Sequence, residues 1–250
     1  MKKKSKILSL TNKNTLREIT QDGIGKTSNE SIRDVSISAN GTLWAIMLDP
    51  NASEKDAGGG PVKYKGPTDK KWKSIESGGA IKIDGGPKGS KAYIINNKGE
   101  VWQLEIEKKP IQLSGEGFAK EISAGADGTV WVISQEGTHG GASIQYLKDD
   151  QWIRVPSELG AIKISGTPKG EALIINSDGI VSTIDKNGLA EQMTGENFAK
   201  EISIDPDGVI WIVSNDPHED GGNKVSYQIK SGEAWQDVDG GATILDAGFA

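Results

Sequence analysis

The phrase FAKEISAGADGTVWVIS (Phe118–Ser134) returns 80 residues later as FAKEISIDPDGVIWIVS (Phe198–Ser214). A weaker copy, IRDVSISANGTLWAIM (Ile32–Met47), precedes both. The three copies hold Trp44, Trp131 and Trp211 in register, 87 and 80 residues apart. Apolar residues alternate with polar ones on either side of an Asn-Gly or Asp-Gly step. Alternation at a period of two marks a half-buried strand, and a glycine that adopts positive φ suits the tight turn of a hairpin. Each copy therefore reads as strand, turn, strand.

Between the copies lies a second set. GAIKIDGGPKGSKAYIINNKGEVWQLE (Gly79–Glu105) matches GAIKISGTPKGEALIINSDGIVSTID (Gly160–Asp185). The long period thus holds two unequal units of about 40 residues, each of four short strands, which is a propeller pattern. The ends of the chain complete the series. GGATILDAGFA (Gly240–Ala250) resembles GGAIKIDGGPK (Gly78–Lys88), which opens a unit, and ILSLTNKNTLREI (Ile7–Ile19) resembles ALIINSDGIVSTI (Ala172–Ile184), which continues one. The expected fold is all-β: a single six-bladed β-propeller of four-stranded blades, pseudo-threefold, with three double blades of about 80 residues. The blades fall near 35–78, 79–117, 118–159, 160–197, 198–240, and 241–250 together with 1–34. Pairing of the N- and C-terminal segments closes the ring and removes a free sheet edge.

Composition narrows the chemistry. The 250 residues contain no Cys and only two His, which removes thiolate nucleophiles and Cys-based metal sites. Net charge is −6 with both signs interspersed, so there is no basic stripe for nucleic acid. No apolar run approaches a membrane span. Lys2, Lys3 and Lys4 open the chain without a following apolar core, which reads as a solvated end of a cytoplasmic protein, with secretion by another route open. No Walker-type glycine loop, nucleophile elbow or EF-hand ligand series occurs, so neither an enzyme nor a cofactor or metal is expected.

The repeated phrase, joined to an aromatic-bearing fourth strand in KWKSI (Lys71–Ile75), QWIRV (Gln151–Val155) and AWQDV (Ala234–Val238), resembles the tectonin repeat. The resemblance to tectonins and the related tachylectin-like proteins covers essentially the whole chain. It implies a β-propeller lectin. This sequence departs from the pattern where Tyr93 and Leu173 replace the second-strand Trp of alternate units.

Candidate ligand-binding residues follow from the repeats. Trp44, Trp131 and Trp211 either fill the wedge between neighbouring sheets or offer a platform for the apolar face of a sugar. Trp72, Trp152 and Trp235 read as outer-strand packing. Three long segments join second to third strands: Leu48–Tyr64, Ser134–Tyr146 and Ser214–Tyr227. Each carries a Gly-Gly step and then a Tyr, so Gly59, Gly140, Gly141, Gly221 and Gly222 could present backbone amides to hydroxyls, with Tyr64, Tyr146 and Tyr227 as stacking rings. His139 and His218 occupy similar places in two of these segments. Lys82 and Lys163, on first strands, are expected to pair with carboxylates or to face the central channel. The expected function is multivalent binding of glycans on cell surfaces or glycoconjugates through weak repeated sites at blade junctions. A glycan-independent protein-interaction scaffold is the alternative.

Overall fold

The computed structural model describes residues 5–11, 13–21, 23–38, 40–48, 59–87, 90–219 and 221–249. Lys2, Lys3, Lys4 and most of the first long segment (49–58) lie outside the described residues. Among the described residues the secondary structure is strand throughout, and no helix is long and apolar enough to cross a membrane.

The chain begins with β1 (Ser5–Leu10), β2 (Thr15–Thr20), β3 (Gly23–Ile37), β4 (Leu43–Met47), β5 (Val62–Lys65) and β6 (Lys73–Ser74). Four antiparallel four-stranded sheets follow in sequence. The first is β7 (Lys82–Gly85), β8 (Lys91–Ile95), β9 (Val101–Glu105) and β10 (Ile111–Gln112). The second is β11 (Ala119–Ala124), β12 (Val130–Thr138), β13 (Gly141–Lys148) and β14 (Gln151–Arg154). The third is β15 (Lys163–Gly166), β16 (Ala172–Ile175), β17 (Val181–Ile184) and β18 (Ala190–Gln192), and the fourth is β19 (Ala199–Ile204), β20 (Ile210–Pro217), β21 (Asn223–Gln228) and β22 (Gln236–Ala242). The last strand, β23 (Ile244–Phe249), returns to the start of the chain and pairs antiparallel with β1, Ile7 facing Ala247 and Leu10 facing Ile244. The architecture is that of a β-propeller with four-stranded blades.

The repeated phrase folds as its turns dictate. Gly41, Gly128 and Gly208 adopt φ of 89°, 93° and 87°, which glycine tolerates without a steric penalty. Asp127 Oδ1 accepts the Thr129 amide and Asp205 Oδ1 the Val209 amide, fixing two of the turns. Apolar side chains fill the wedges between successive sheets. Trp131 and Ile133 of one sheet, for example, share a cluster with Ile164, Ala172 and Ile174 of the next.

Two expectations change. The fourth strand of the terminal unit and the first strand of the following one are not separate. They are one 15-residue strand, β3, so that β23-β1-β2-β3-β4-β5-β6 form a single seven-stranded sheet. No glycine or proline lies between Gly25 and Gly41 to break it. The long segments after β12 and β20 are also not projecting loops. Both strands continue past an irregularity to Thr138 and Pro217, and Thr138 pairs with Gly141 across a tight turn.

Candidate functional site

Placement of the repeated aromatic residues follows from strand register. Trp44 lies directly opposite Tyr64, Trp131 opposite Tyr146 and Trp211 opposite Tyr227. Ring centroids within each pair are 5.6, 5.4 and 5.0 Å apart in tilted contact, a favourable aromatic geometry. All three Trp side chains are 0% exposed, so none offers a ring face to a ligand. Tyr227 is buried and donates its hydroxyl to Gln236 Oε1 at 2.6 Å, while Tyr64 and Tyr146 are half-buried against the same clusters. The recurring Tyr is the cross-strand partner of the recurring Trp. Trp152 and Trp235 stack on Phe118 and Phe198, each at 5.3 Å, and Trp72 packs on the cluster around Ile32 and Val35.

The Gly-Gly steps have an equally structural place. Gly59, Gly141 and Gly222 each lie against the backbone of a Gly-Ala step that leads into the next inner strand: a Cβ on them would sit 2.1 Å from Ala80 O, 2.6 Å from Ala161 C and 2.8 Å from Ala242 O. Amides beside them are spent on the same partner. Gly60 and Ala80 exchange bonds of 2.8 and 2.9 Å, and Ala142 and Ala161 exchange bonds of 3.0 and 2.9 Å. Gly140 and Gly221 sit in the adjoining turns at positive φ, with the Gly221 amide donated to His218 O. His139 is exposed, and its carbonyl accepts the Gly160 amide. The His218 side chain is 13% exposed, 3.6 Å from Asp239 Oδ1, and its Nε2 accepts the Gly240 amide at 3.4 Å. The two histidines therefore stand on separate sheets.

The inner strands β3, β7, β11, β15, β19 and β23 line an axial cavity in two layers. One layer carries alternating charge. Lys82 Nζ lies 2.9 Å from Glu121 Oε1, and Lys163 Nζ lies 3.2 Å from Glu121 and 2.7 Å from Glu201, as expected for inward-facing lysines. Burial opposes the charge on Lys163, but Glu201 and Glu121 outweigh it and hold the ammonium above the ordinary lysine range. Asp34 belongs to this layer. Burial lifts its carboxyl to about 7 although Oδ2 accepts the Ile83 amide at 3.0 Å.

The second layer is a relay of hydrogen bonds from strand to strand, which sequence reading missed. Ser36 Oγ accepts the Gly85 amide at 2.8 Å, Asp84 Oδ2 the Ala124 amide at 3.0 Å, and Ser123 Oγ the Gly166 amide at 3.0 Å. Ser165 Oγ accepts the Ile204 amide at 3.2 Å, Ser203 Oγ the Ala247 amide at 2.9 Å, and Asp246 Oδ2 the Ile37 amide at 2.7 Å. The last bond returns to β3. A signal was present: in VSI, IDG, ISA, ISG, ISI and LDA a Ser or Asp stands at the same place of every inner strand.

Two surface features lack repeat equivalents. Half-buried Trp102 stands in a cleft of about 450 Å³ with Asn96, Glu76, Lys109 and Pro110, its indole N–H donated to Glu100 Oε2 at 3.2 Å. The sister unit has Ser182 in its place. A groove of about 330 Å³ between the last two four-stranded sheets is lined by Leu173, Met193, Ile204, Ile210 and Ile229. Ile229 is 43% exposed, and Lys148 occupies the equivalent position one double unit earlier.

Comparison with known proteins agrees with the geometry at the level of fold. No protein-family model matches the chain, and no curated protein matches its sequence. Solved structures do match. TolB from Acinetobacter baumannii superposes with a TM-score of 0.74 at 12% identity, over 99% of this chain and 66% of that one. This chain thus spans just under two thirds of the TolB chain. The β-propeller domain of Cps50 (Swd1) from Myceliophteria thermophila gives 0.57 at 10% identity, covering 96% and 88%. YCF48 bound to D1 peptide gives 0.54 at 16% identity, covering 96% and 82%. The chain is similar to β-propellers. At these identities the likeness concerns the fold alone.

Proposed function

We propose that this chain is a non-enzymatic binding propeller of six blades whose target is a single partner protein. In this reading the seven-stranded sheet is two blades sharing β3, and the relay of Ser and Asp side chains is the seam of a ring closed by β23. One observation supports the choice of target. The features that repeat, Trp–Tyr pairs and glycine steps, are consumed in packing and backbone pairing, whereas two accessible features, the Trp102 cleft and the Ile229 groove, are built on residues that the sister units replace. A ligand presented in many copies is met by repeated sites, whereas one asymmetric partner is met by unrepeated ones. YCF48, a neighbour in fold, was solved with a bound peptide.

Carbohydrate binding, as the tectonin-like phrases suggest, is the second reading. It draws on the half-buried indole of Trp102, set in a cleft beside a carboxylate and an ammonium. Affinity capture with wild type, Trp102→Ser and Ile229→Lys, run beside a printed glycan array, separates the two. Both variants copy the residue of a sister unit, so each should fold. A single protein retained by wild type and lost by one variant supports the scaffold reading. Glycan retention that Trp102→Ser abolishes, with no protein captured, replaces it with the lectin.

A further inference from the structure

Four of the six relay positions are Ser; the other two, Asp84 and Asp246, flank Ser36. Ser36 Oγ lies 2.9 Å from Asp246 Oδ2 and 3.2 Å from Asp84 Oδ1, and it also accepts the Gly85 amide. A serine hydroxyl has one proton and two lone pairs. It can donate to one of these carboxyls only, so the other contact needs a proton from the carboxyl itself. The donors decide which. Asp246 Oδ2, the oxygen that faces Ser36, already accepts the Ile37 amide at 2.7 Å, and Oδ1 accepts the Ser203 hydroxyl at 3.3 Å. Asp84 accepts the Ala124 amide on Oδ2 and also bonds the Ser123 hydroxyl, but Oδ1, the oxygen that faces Ser36, takes no backbone amide.

We propose that Asp84 is a neutral carboxylic acid that donates from Oδ1 to Ser36, that Ser36 donates onward to the Asp246 carboxylate, and that this shared proton latches the C-terminal strand β23 to β3 and β7. With both carboxyls ionised, Ser36 would satisfy one, and two buried negative charges would face each other across it. Among the described residues no cation lines the same layer. From the adjoining layer Lys82 and Lys163 face the cavity, but they are engaged by Glu121 and Glu201. Asp34 on β3, Tyr93 on β8 and Asp205 after β19 add acidic or neutral groups only. Burial, and then the Asp246 charge, raise Asp84 well above the usual carboxylate range, and burial lifts Asp246 to about 6.

The sign follows. An acid that holds its proton more tightly in the folded state contributes stability that is present at low pH and is lost as pH rises through its folded pKa. The latch is therefore closed in mild acid and loosened in base. Asp84→Asn imitates the neutral acid: its Nδ2 donates to Ser36 and its oxygen accepts from Ala124. Chemical unfolding of wild type should show an unfolding constant that rises as pH goes from 5 to 9. In Asp84→Asn that rise should be smaller, by up to tenfold per pH unit below the folded pKa of Asp84. The infrared band of a protonated carboxylic acid, present in wild type at pH 7, should weaken in the variant. Asp246→Asn, which leaves one acceptor oxygen where two take the Ile37 amide and the Ser36 and Ser203 hydroxyls, should destabilise the fold at pH 7. Parallel pH profiles for wild type and Asp84→Asn, an unchanged band, or an Asp84→Asn variant less stable at pH 7 than Asp246→Asn would overturn the assignment.

Discussion

Replacing Gly141 with alanine tests whether the glycine steps are structural clamps. A Cβ at this position would lie 2.6 Å from the C, N and O of Ala161, all backbone atoms that cannot swing aside. The residue also holds φ of 148°, a conformation that L side chains rarely adopt. Relief requires β13 and the lead-in to β15 to part, which stretches the 3.0 and 2.9 Å bonds between Ala142 and Ala161. Two backbone bonds at about 1 kcal/mol each, with about 1 kcal/mol or more for the forced backbone, give a loss of about 3 kcal/mol. That is a large share of the stability of an ordinary domain. Urea unfolding of wild type, Gly141→Ala and a control, Gly115→Ala, is the assay, since a Cβ at Gly115 meets nothing within 4 Å. If Gly141→Ala unfolds within about 0.5 kcal/mol of the control, the clamp is not a source of stability and the amides there are available for other work.

Three further outcomes follow from the same packing. Trp44 Nε1 donates to Ser38 Oγ at 3.0 Å, whereas the buried Nε1 of Trp131 has no partner among the described residues, so Trp44→Phe should cost about 1 kcal/mol more than Trp131→Phe in thermal unfolding. Lys163→Met leaves Glu121 and Glu201 facing each other without the ammonium that lies between them, and should cost about 3 kcal/mol at pH 7; equal midpoints would show that the charged layer contributes nothing net. Removing residues 244–250 uncovers β1 and strips buried Leu245 and Ala247 from their cluster, which should lower the melting temperature sharply, and an unchanged melting curve would exclude the β1–β23 pairing as a source of stability.

Much of the propeller was legible because its rules are local. Alternation around Asp-Gly gives a hairpin wherever it occurs, and the matching fragments at Ile7 and Gly240 could only complete one unit between them. The fusion within β3 was less visible, since it depends on the absence of a breaker between two units read separately. The structural roles of the repeated residues were less legible for a different reason. Repetition in sequence marks a shared physical demand, but Gly141 and Tyr146 satisfy that demand through partners, Ala161 and Trp131, that no local window pairs with them. Trp102 and Ile229 escaped notice because a search for what recurs passes over what occurs once. The relay was readable in principle, since Ser36, Asp84, Ser123, Ser165, Ser203 and Asp246 align once the inner strands are superposed.

The pairing of β1 with β23 also bears on how the chain is made. β1 leaves the ribosome before the four central sheets and its partner leaves after them. The four central sheets can collapse while synthesis continues, each from neighbouring hairpins, but β1 must wait with one edge open until residues 244–249 emerge. Pairing of strands so distant in sequence is slow to form, because a long loop must close before any contact rewards it. Until then the nascent chain is able to pair with a stranger, since another copy's β23 would fit β1 as well as its own. Crowded polysomes, in which many such chains wait side by side, would be where this protein is most exposed to strand exchange.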